Sequence, residues 1–473
     1  MRCQAILATI FCLLQWLSNG QVTKGRRDGD SRVVQLSLHR RNIQDPVLHD
    51  RQRIMRREGT VQEDVNNLQT LYFLNASLGT PPQNLRLHLD TGSSDLWVNT
   101  ASSSLCRSSN EACTESGTYN CNSSSTYGYL NSQFNISYVD GSSAHGDYVT
   151  DTFRFGNIGI DDFQFGVGYT SSSQQGILGI GYPENEIQSA RFGHQPYNNL
   201  PARLFADKHV GANAYSIWLD NINSTTGSLL FGGVDKSQYQ GSLVTVPVQK
   251  VGSSYREFFI TMTGLDAGSK SIATDMALAV LLDTGSSLTY LPNDLANAVF
   301  QAVNATWLEK SQLAVISCDR GLSDESITFH FSKPASISVL LRELVLPIIT
   351  ANGVQPRLQD GTNACLFGIF PSGRGAIVLG DTFLRSAYVV YDMANHEVAL
   401  AQSNFNAEPS GSDVVEISPG TNQLPDATAA PNPVAAKSGL PVASLAASSV
   451  LLERQSLAVT FFAMLIVGAF RVF

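Results

Sequence analysis

At 473 residues the chain is longer than one ordinary core holds, so two domains with appendages are expected. With 43% hydrophobic and 15% charged residues it is globular, and its many Gly and Ser lean towards β-structure with frequent turns. The net charge of −9 is unevenly placed: residues 21–57 carry ten Lys or Arg against four Asp, while everything from 58 onward nets −16.

Residues 1–20, MRCQAILATIFCLLQWLSNG, hold one Arg, an apolar run from Ala5 to Leu17, and then small and polar residues. This is the pattern of a secretory signal peptide cleaved near Gly20, with an apolar run too short for a membrane span. A basic arm before an acidic body can serve nucleic acid, but the secretory route argues against a nucleic-acid partner. The better reading of 21–67 is a basic propeptide covering an acidic cleft, with Arg56-Arg57 as a dibasic processing point.

From 68 to 405 the chain alternates like strands, as in Leu85, Leu87 and Leu89, or Phe134, Ile136 and Tyr138, with Gly, Asn and Ser clusters between; only 294–308 reads as helix. The expected class is therefore all-β. Within this region the pentapeptide Asp90-Thr91-Gly92-Ser93-Ser94 returns as Asp283-Thr284-Gly285-Ser286-Ser287, each time after apolar residues. GILGIG follows the first at 176–181 and AIVLGD the second at 376–381, so Asp90 to Gly179 spans 89 residues and Asp283 to Gly380 spans 97. Two landmarks at matching offsets imply a duplicated lobe, drawn as 68–240 and 241–405.

Beyond the second lobe, 406–449 is Ser-, Pro- and Ala-rich and reads as a linker too polar and broken to bury a core. The last stretch, 450–473, ends in LAVTFFAMLIVGAF after small residues and a short polar spacer, a GPI-attachment signal rather than a tail-anchored helix, since no basic flank follows. Five N-x-S/T sequons, at Asn75, Asn122, Asn135, Asn223 and Asn304, fit a secreted glycoprotein. Cys3 and Cys12 leave with the signal peptide, and of the remaining five, Cys318 pairs with Cys365 and Cys106 with Cys113. That strands Cys121, and Cys106–Cys121 is an equally legal pairing.

The repeated D-T-G places a carboxylate at a strand end before a tight turn, with hydroxyls able to bond the backbone or the carboxylate and a Gly that lets another chain pass close. Two such turns meeting at a lobe interface would bring two carboxyls together, which cannot both ionise cheaply and so share a proton. One then acts as general base on a water while its protonated partner polarises an amide carbonyl. Nothing points to other chemistry. The eight His show no zinc-ligand spacing, His88 beside the first loop reads as ordinary strand packing, and there is no G-x-S-x-G elbow, Cys–His signature or phosphate loop. No metal or cofactor is expected.

On these motifs the chain resembles a pepsin-type aspartic protease, in the manner of the fungal GPI-anchored yapsin-like enzymes. The resemblance covers about 68–405 and implies a bilobal pepsin-like fold of two pseudosymmetric β lobes with the cleft between them. It implies Asp90 and Asp283 as the catalytic pair, supported by Thr91, Gly92, Ser93, Thr284, Gly285 and Ser286, with the hydroxyls fixing the carboxylates through hydrogen bonds. Leu96-Trp97-Val98 matches the segment after the first loop, and GILG and VLGD match the segments that brace each loop. The stretch Ser137-Tyr138-Val139-Asp140-Gly141-Ser142 is a hairpin by its Asp-Gly turn alone, and the resemblance makes it a mobile flap with Trp97 bonded to Tyr138. Asp140, two residues past the flap tyrosine, implies acceptance of Lys or Arg at P1, although Asp is also the favoured first residue of such a turn.

The expectation is thus a secreted, surface-anchored, monomeric aspartic endopeptidase of acid pH optimum acting on peptides and proteins. A catalytically silent relative that binds peptides in the same cleft is the alternative.

Overall fold

The computed structural model describes residues 32–44, 65–107, 112–138, 143–350, 355–408, 412–420 and 424–441. The signal peptide, Arg56-Arg57, the flap residues Asp140, Gly141 and Ser142, and the tail 450–473 lie outside the described residues. The described chain is mostly strand with a few short helices, as alternation predicted.

Both lobes repeat one four-strand motif. In the first, Gln83–Asp90 pairs antiparallel with Val65–Leu78 (Phe73 opposite His88) and parallel with the short strand Gly176–Gly179 (Asp90 opposite Gly179), which also pairs antiparallel with Leu96–Asn99. In the second, Leu278–Leu282 pairs antiparallel with Phe259–Met262 (Phe259 opposite Leu281) and parallel with Val378–Leu379, which pairs antiparallel with Thr289–Leu291. All four residues of Gly176–Gly179 and all five of Leu278–Leu282 are buried, which explains why these stretches are runs of apolar and small residues rather than alternating ones.

A six-stranded antiparallel sheet joins the lobes, in the order Val34–Gln44, Thr226–Phe231, Ala214–Trp218, Ala387–Asp392, Glu397–Ser403, Tyr239–Pro247. Its first strand comes from the segment expected as propeptide. Val34, Leu36 and Leu38 are buried there, and Arg40 Nη1 donates to the carbonyls of Asn221 (3.2 Å), Ser224 (2.9 Å) and Ile222. The sequence-drawn lobe boundary after 240 falls inside the last strand, Tyr239–Pro247.

Two expectations need correction. The helix runs over Asn293–Val303, not to 308, because Asn304 adopts a left-handed conformation (φ 57°) and Thr306–Leu308 leaves to pair with Leu313–Ser317. The segment 406–449 is not a free linker as far as 441. Val414–Glu416 pairs with Gly233–Asp235, Ala427–Ala429 adds parallel to Tyr239–Pro247, and Ala279 N–H donates to Ser438 O at 2.8 Å. Scattered apolar residues suffice for this docking: Ile417 and Leu424 are buried in a cluster with Trp218, Val234 and Tyr388.

The structure settles the cysteine pairing. Cys106 bonds Cys113 and Cys318 bonds Cys365, leaving Cys121 free. Of the sequon residues, Asn75, Asn122, Asn223 and Asn304 are exposed, whereas Asn135 is half-buried and its Oδ1 accepts from Arg191 Nη1 at 3.2 Å. No helix among the described residues is long and apolar enough to cross a membrane.

Candidate active site

The motif just described delivers one Asp-Thr-Gly turn from each lobe to the same place. Asp90 is 2% and Asp283 5% exposed, at the ends of strands whose other residues build the core. Each carboxylate is held by its own loop in the same way. Gly92 N–H donates to Asp90 Oδ1 at 2.8 Å and Ser93 Oγ to Oδ2 at 2.5 Å; Gly285 N–H donates to Asp283 Oδ1 at 2.8 Å and Ser286 Oγ to Oδ2 at 2.7 Å. Donors fixed by a tight turn set the orientation of each carboxylate.

The glycines explain why the two loops must be Asp-Thr-Gly. A Cβ on Gly92 would lie 2.6 Å from Asp283 Oδ1, closer than real Cβ atoms come. A Cβ on Gly285 would lie 2.6 Å from Asp90 Oδ1 and 2.9 Å from Asp283 Oδ1, so the space of one missing methyl group is bounded by both carboxylates. The two acids therefore face each other across the lobe interface.

The threonines depart from expectation. They do not bond the carboxylates, which the glycine amides and serine hydroxyls already occupy, but lock one loop to the other. Thr91 Oγ1 donates to Leu282 O (3.0 Å) and accepts from Thr284 N–H (3.0 Å); Thr284 Oγ1 donates to Leu89 O (2.9 Å) and accepts from Thr91 N–H (3.1 Å). Both side chains are fully buried, so these four bonds are made where losing one would leave a dry polar group. The bracing segments complete each half. Ile180 N–H donates to Asp90 O at 2.9 Å and Asp283 N–H to Leu379 O at 3.2 Å.

Comparison with known proteins agrees with this geometry. The family model for eukaryotic aspartyl protease matches residues 71–403. The chain belongs to the eukaryotic aspartyl protease family. It is 46% identical over 419 residues to the probable aspartic-type endopeptidase opsB of Aspergillus oryzae, covering 87% of this chain and 84% of that one. It is 34% identical over 359 residues to secreted aspartic protease 8 of Candida albicans, covering 75% and 81%. The crystal structure of the aspartic proteinase from Irpex lacteus superposes with a TM-score of 0.59 over 80% of this chain and all of that one, at 21% identity, which bears on the fold alone. The chain is thus an aspartic-type endopeptidase of pepsin-like, bilobal all-β fold.

Around the dyad of this aspartyl protease, the first lobe supplies a hairpin. Gly128–Ser137 pairs with Ser143–Phe155, ending with Ser137 opposite Ser143, and the four residues of its tip lie outside the described residues. Just before the tip, Tyr138 OH accepts from Trp97 Nε1 at 2.6 Å. Trp97 is fully buried, packed with Phe134, Ile136, Ala144, Tyr148 and Ile177. Burial, and then the Asp90 carboxylate, push the Tyr138 phenol well above the usual tyrosine range. The hairpin base is therefore tied by one hydrogen bond to a rigid aromatic cluster. His88 is buried against Phe73, ring centroids 5.7 Å apart, the packing role expected of it.

Two features of the protease went unread in its sequence. Asp95, directly after the first DTGSS, is 1% exposed and accepts from Tyr148 OH (2.6 Å), Tyr197 OH (3.0 Å) and Ile187 N–H (3.0 Å). Burial raises its pKa against these bonds. Beside it Glu186 is fully buried and accepts from Tyr197 N–H at 2.8 Å; burial first, then Asp95, push it up to about 10. An acid directly before the buried stretch Leu96-Trp97-Val98 was a visible signal for Asp95, while nothing local marks Glu186. The second feature is Glu257, two residues before the strand Phe259–Met262 and close to both catalytic-loop aspartates. Burial first, then the Asp283 carboxylate, push it up to about 7, with Arg256 pulling the other way and Asp90 adding to the rise.

Proposed function

We propose that Asp90 and Asp283 carry a water between them and hydrolyse peptide bonds at acid pH. The reading rests on one observation above all: each loop's glycine leaves room for the other loop's carboxylate, so two acids face each other with equivalent hydrogen bonds. Such a pair holds one proton between two sites over a wide acidic range, which leaves one carboxylate as general base and its partner as acid towards the substrate carbonyl. Ser93 and Ser286 hold the carboxylates, Thr91 and Thr284 hold the loops together, and Trp97 and Tyr138 support a flap whose closure over an extended peptide would exclude water.

The protein is made with a signal peptide at 1–20 and a propeptide at 21–67, carries glycans on exposed sequons such as Asn75, Asn122, Asn223 and Asn304, and is held at the outer cell surface through a GPI signal at 450–473. Asp140 at the flap tip gives it tolerance for Lys or Arg at P1. The test is cleavage of a peptide pool between about pH 2.5 and 7 by the secreted, processed protein beside Asp90→Asn. Acid-dependent cutting that pepstatin blocks and the variant lacks supports the reading. Absence of cutting by folded protein freed of its propeptide overturns it in favour of a peptide-binding relative. An unchanged ratio of Lys to Phe P1 rates in Asp140→Thr would remove the P1 assignment alone.

A further inference from the structure

The end of a strand brings a third carboxyl to the dyad. Phe259 stands opposite Leu281, and Leu282 N–H donates to Phe258 O at 3.2 Å, so Glu257 leaves the pairing where Leu282 runs into Asp283. The chain bends at Glu257, whose carbonyl accepts from Phe259 N–H at 2.9 Å, and the Asp283 and Asp90 carboxylates both act on its carboxyl. The first lobe has the equivalent position, since Phe73 opposite His88 carries the register to Leu71 opposite Asp90. Leu71 is fully buried, whereas Glu257 keeps part of its surface open. The pseudo-twofold symmetry of the site is thus broken at one matched pair of positions, apolar on one side and acidic on the other.

Two of the other buried acids hold strong donors. Glu343 receives Arg385 Nε at 2.8 Å, and Asp95 receives two phenols and an amide. Among the described residues, no hydrogen bond or ion pair reaches the Glu257 carboxyl. A carboxyl set deep beside two further carboxylates, with only its sequence neighbour Arg256 as a charge of opposite sign, is an unfavourable arrangement for the free protein. A cation arriving with the substrate relieves it.

We infer that Glu257 is a specificity-determining residue that receives a Lys or Arg side chain of the substrate as the peptide passes Asp283. This deepens the endopeptidase reading above and rests on it. The pairing has a pH signature. The groups facing Glu257 are Asp283 and Asp90 from the two catalytic loops and Arg256 from its own segment, and with its titration near 7 the carboxyl is neutral at low pH in the free enzyme. The advantage of a basic residue over a neutral one of the same length therefore grows as pH rises towards neutrality.

The experiment uses the naturally processed secreted enzyme and a peptide series in which Lys, Arg or norleucine is moved through each position around one cleaved bond. The ratio of kcat/KM for Lys over norleucine is read between about pH 4 and 6.5. In the wild type it should rise about tenfold at one position, which identifies the subsite, and stay flat in both Glu257→Gln and Glu257→Leu, the second matching the first lobe's residue. A rise of equal size in the two Glu257 variants would assign it to the dyad and overturn the inference. A flat ratio at every position in the wild type overturns it without any variant. Failure of the wild type to cut any peptide would remove both this inference and the endopeptidase reading, whereas cutting with an unaltered ratio removes this one alone.

Discussion

The two DTGSS loops are alike inside the pentapeptide and unlike one residue beyond it. Each holds its Asp with one amide and one serine hydroxyl, and each lends a threonine to lock the other. Immediately after, the first loop continues with Asp95, Leu96 and Trp97, and the second with Leu288, Thr289 and Tyr290. The first lobe thus builds a polar-aromatic cluster that anchors the hairpin, while the second has no acid at those three positions and carries its extra acid at Glu257. The identical part is what sharing a proton requires. On the function proposed above, the different part sets which lobe covers the substrate and which reads its charge.

The largest effect tests the identical part. Asp90→Asn and Asp283→Asn should each lower kcat by roughly 10³–10⁴-fold, and the double variant should be little worse than either, because the two act as one unit. Steady-state cleavage of a single peptide checks this; retention of a tenth of the activity by either variant would break the equivalence of the halves. Gly92→Ala and Gly285→Ala come next. The added methyl must displace the opposite carboxylate, and a misplacement on the order of 1 Å costs about 10²-fold in rate. The losses should be similar in the two variants, since the clash distance is 2.6 Å in both.

That equivalence was legible in the sequence, because a repeated pentapeptide and a repeated apolar-Gly segment are local patterns. The all-β class was legible for the same reason, whereas the Trp97–Tyr138 pair came from the family resemblance and Cys106–Cys113 stayed open against Cys106–Cys121 until the structure chose. What escaped depended on register or on distant packing. Glu257 matters only because Phe259 stands opposite Leu281, a fact of pairing that no window of residues displays. Glu186 needs Tyr197 and Asp95 around it. The docking of 412–441 escaped because a polar composition was read as a free chain, although a few residues such as Ile417 and Leu424 carry its burial. The strand Val34–Gln44 escaped because charge dominated the reading of a segment whose alternate residues are apolar.

The difference between the lobes should also appear as stability against pH. Burial raises Glu186 from an ordinary value of 4.5 to about 10 and Glu257 from 4.5 to about 7. A carboxyl with a raised folded pKa contributes its stability in full below the unfolded value and loses it as pH climbs to the folded one. Both groups therefore favour the folded protein at acid pH, and above 7 the continuing loss belongs to the first lobe's Glu186. Each such proton corresponds to a slope of about 1.4 kcal/mol per pH unit. Denaturant melts should show unfolding free energy falling from pH 5 to 8 by about that slope or more, and Glu186→Gln should remove about one proton's share. A variant with the wild-type slope would mean that Glu186 is already ionised in the folded protein.

The smallest effect concerns the tie between hairpin and core, which the second lobe lacks as a Trp–Tyr pair. Trp97 Nε1 can reach Tyr138 OH only because Trp97 is immobilised among Phe134, Tyr148 and Ile177. Tyr138→Phe and Trp97→Phe each remove this bond. At about 1 kcal/mol for the bond, each should lower kcat/KM about fivefold. Because the indole bond exists only while both partners do, the double variant should match Tyr138→Phe alone. Multiplicative losses would show that Trp97 acts by filling the core beneath the hairpin rather than by holding its tyrosine. In that case the two lobes would differ in packing, and the polar link would carry none of the difference.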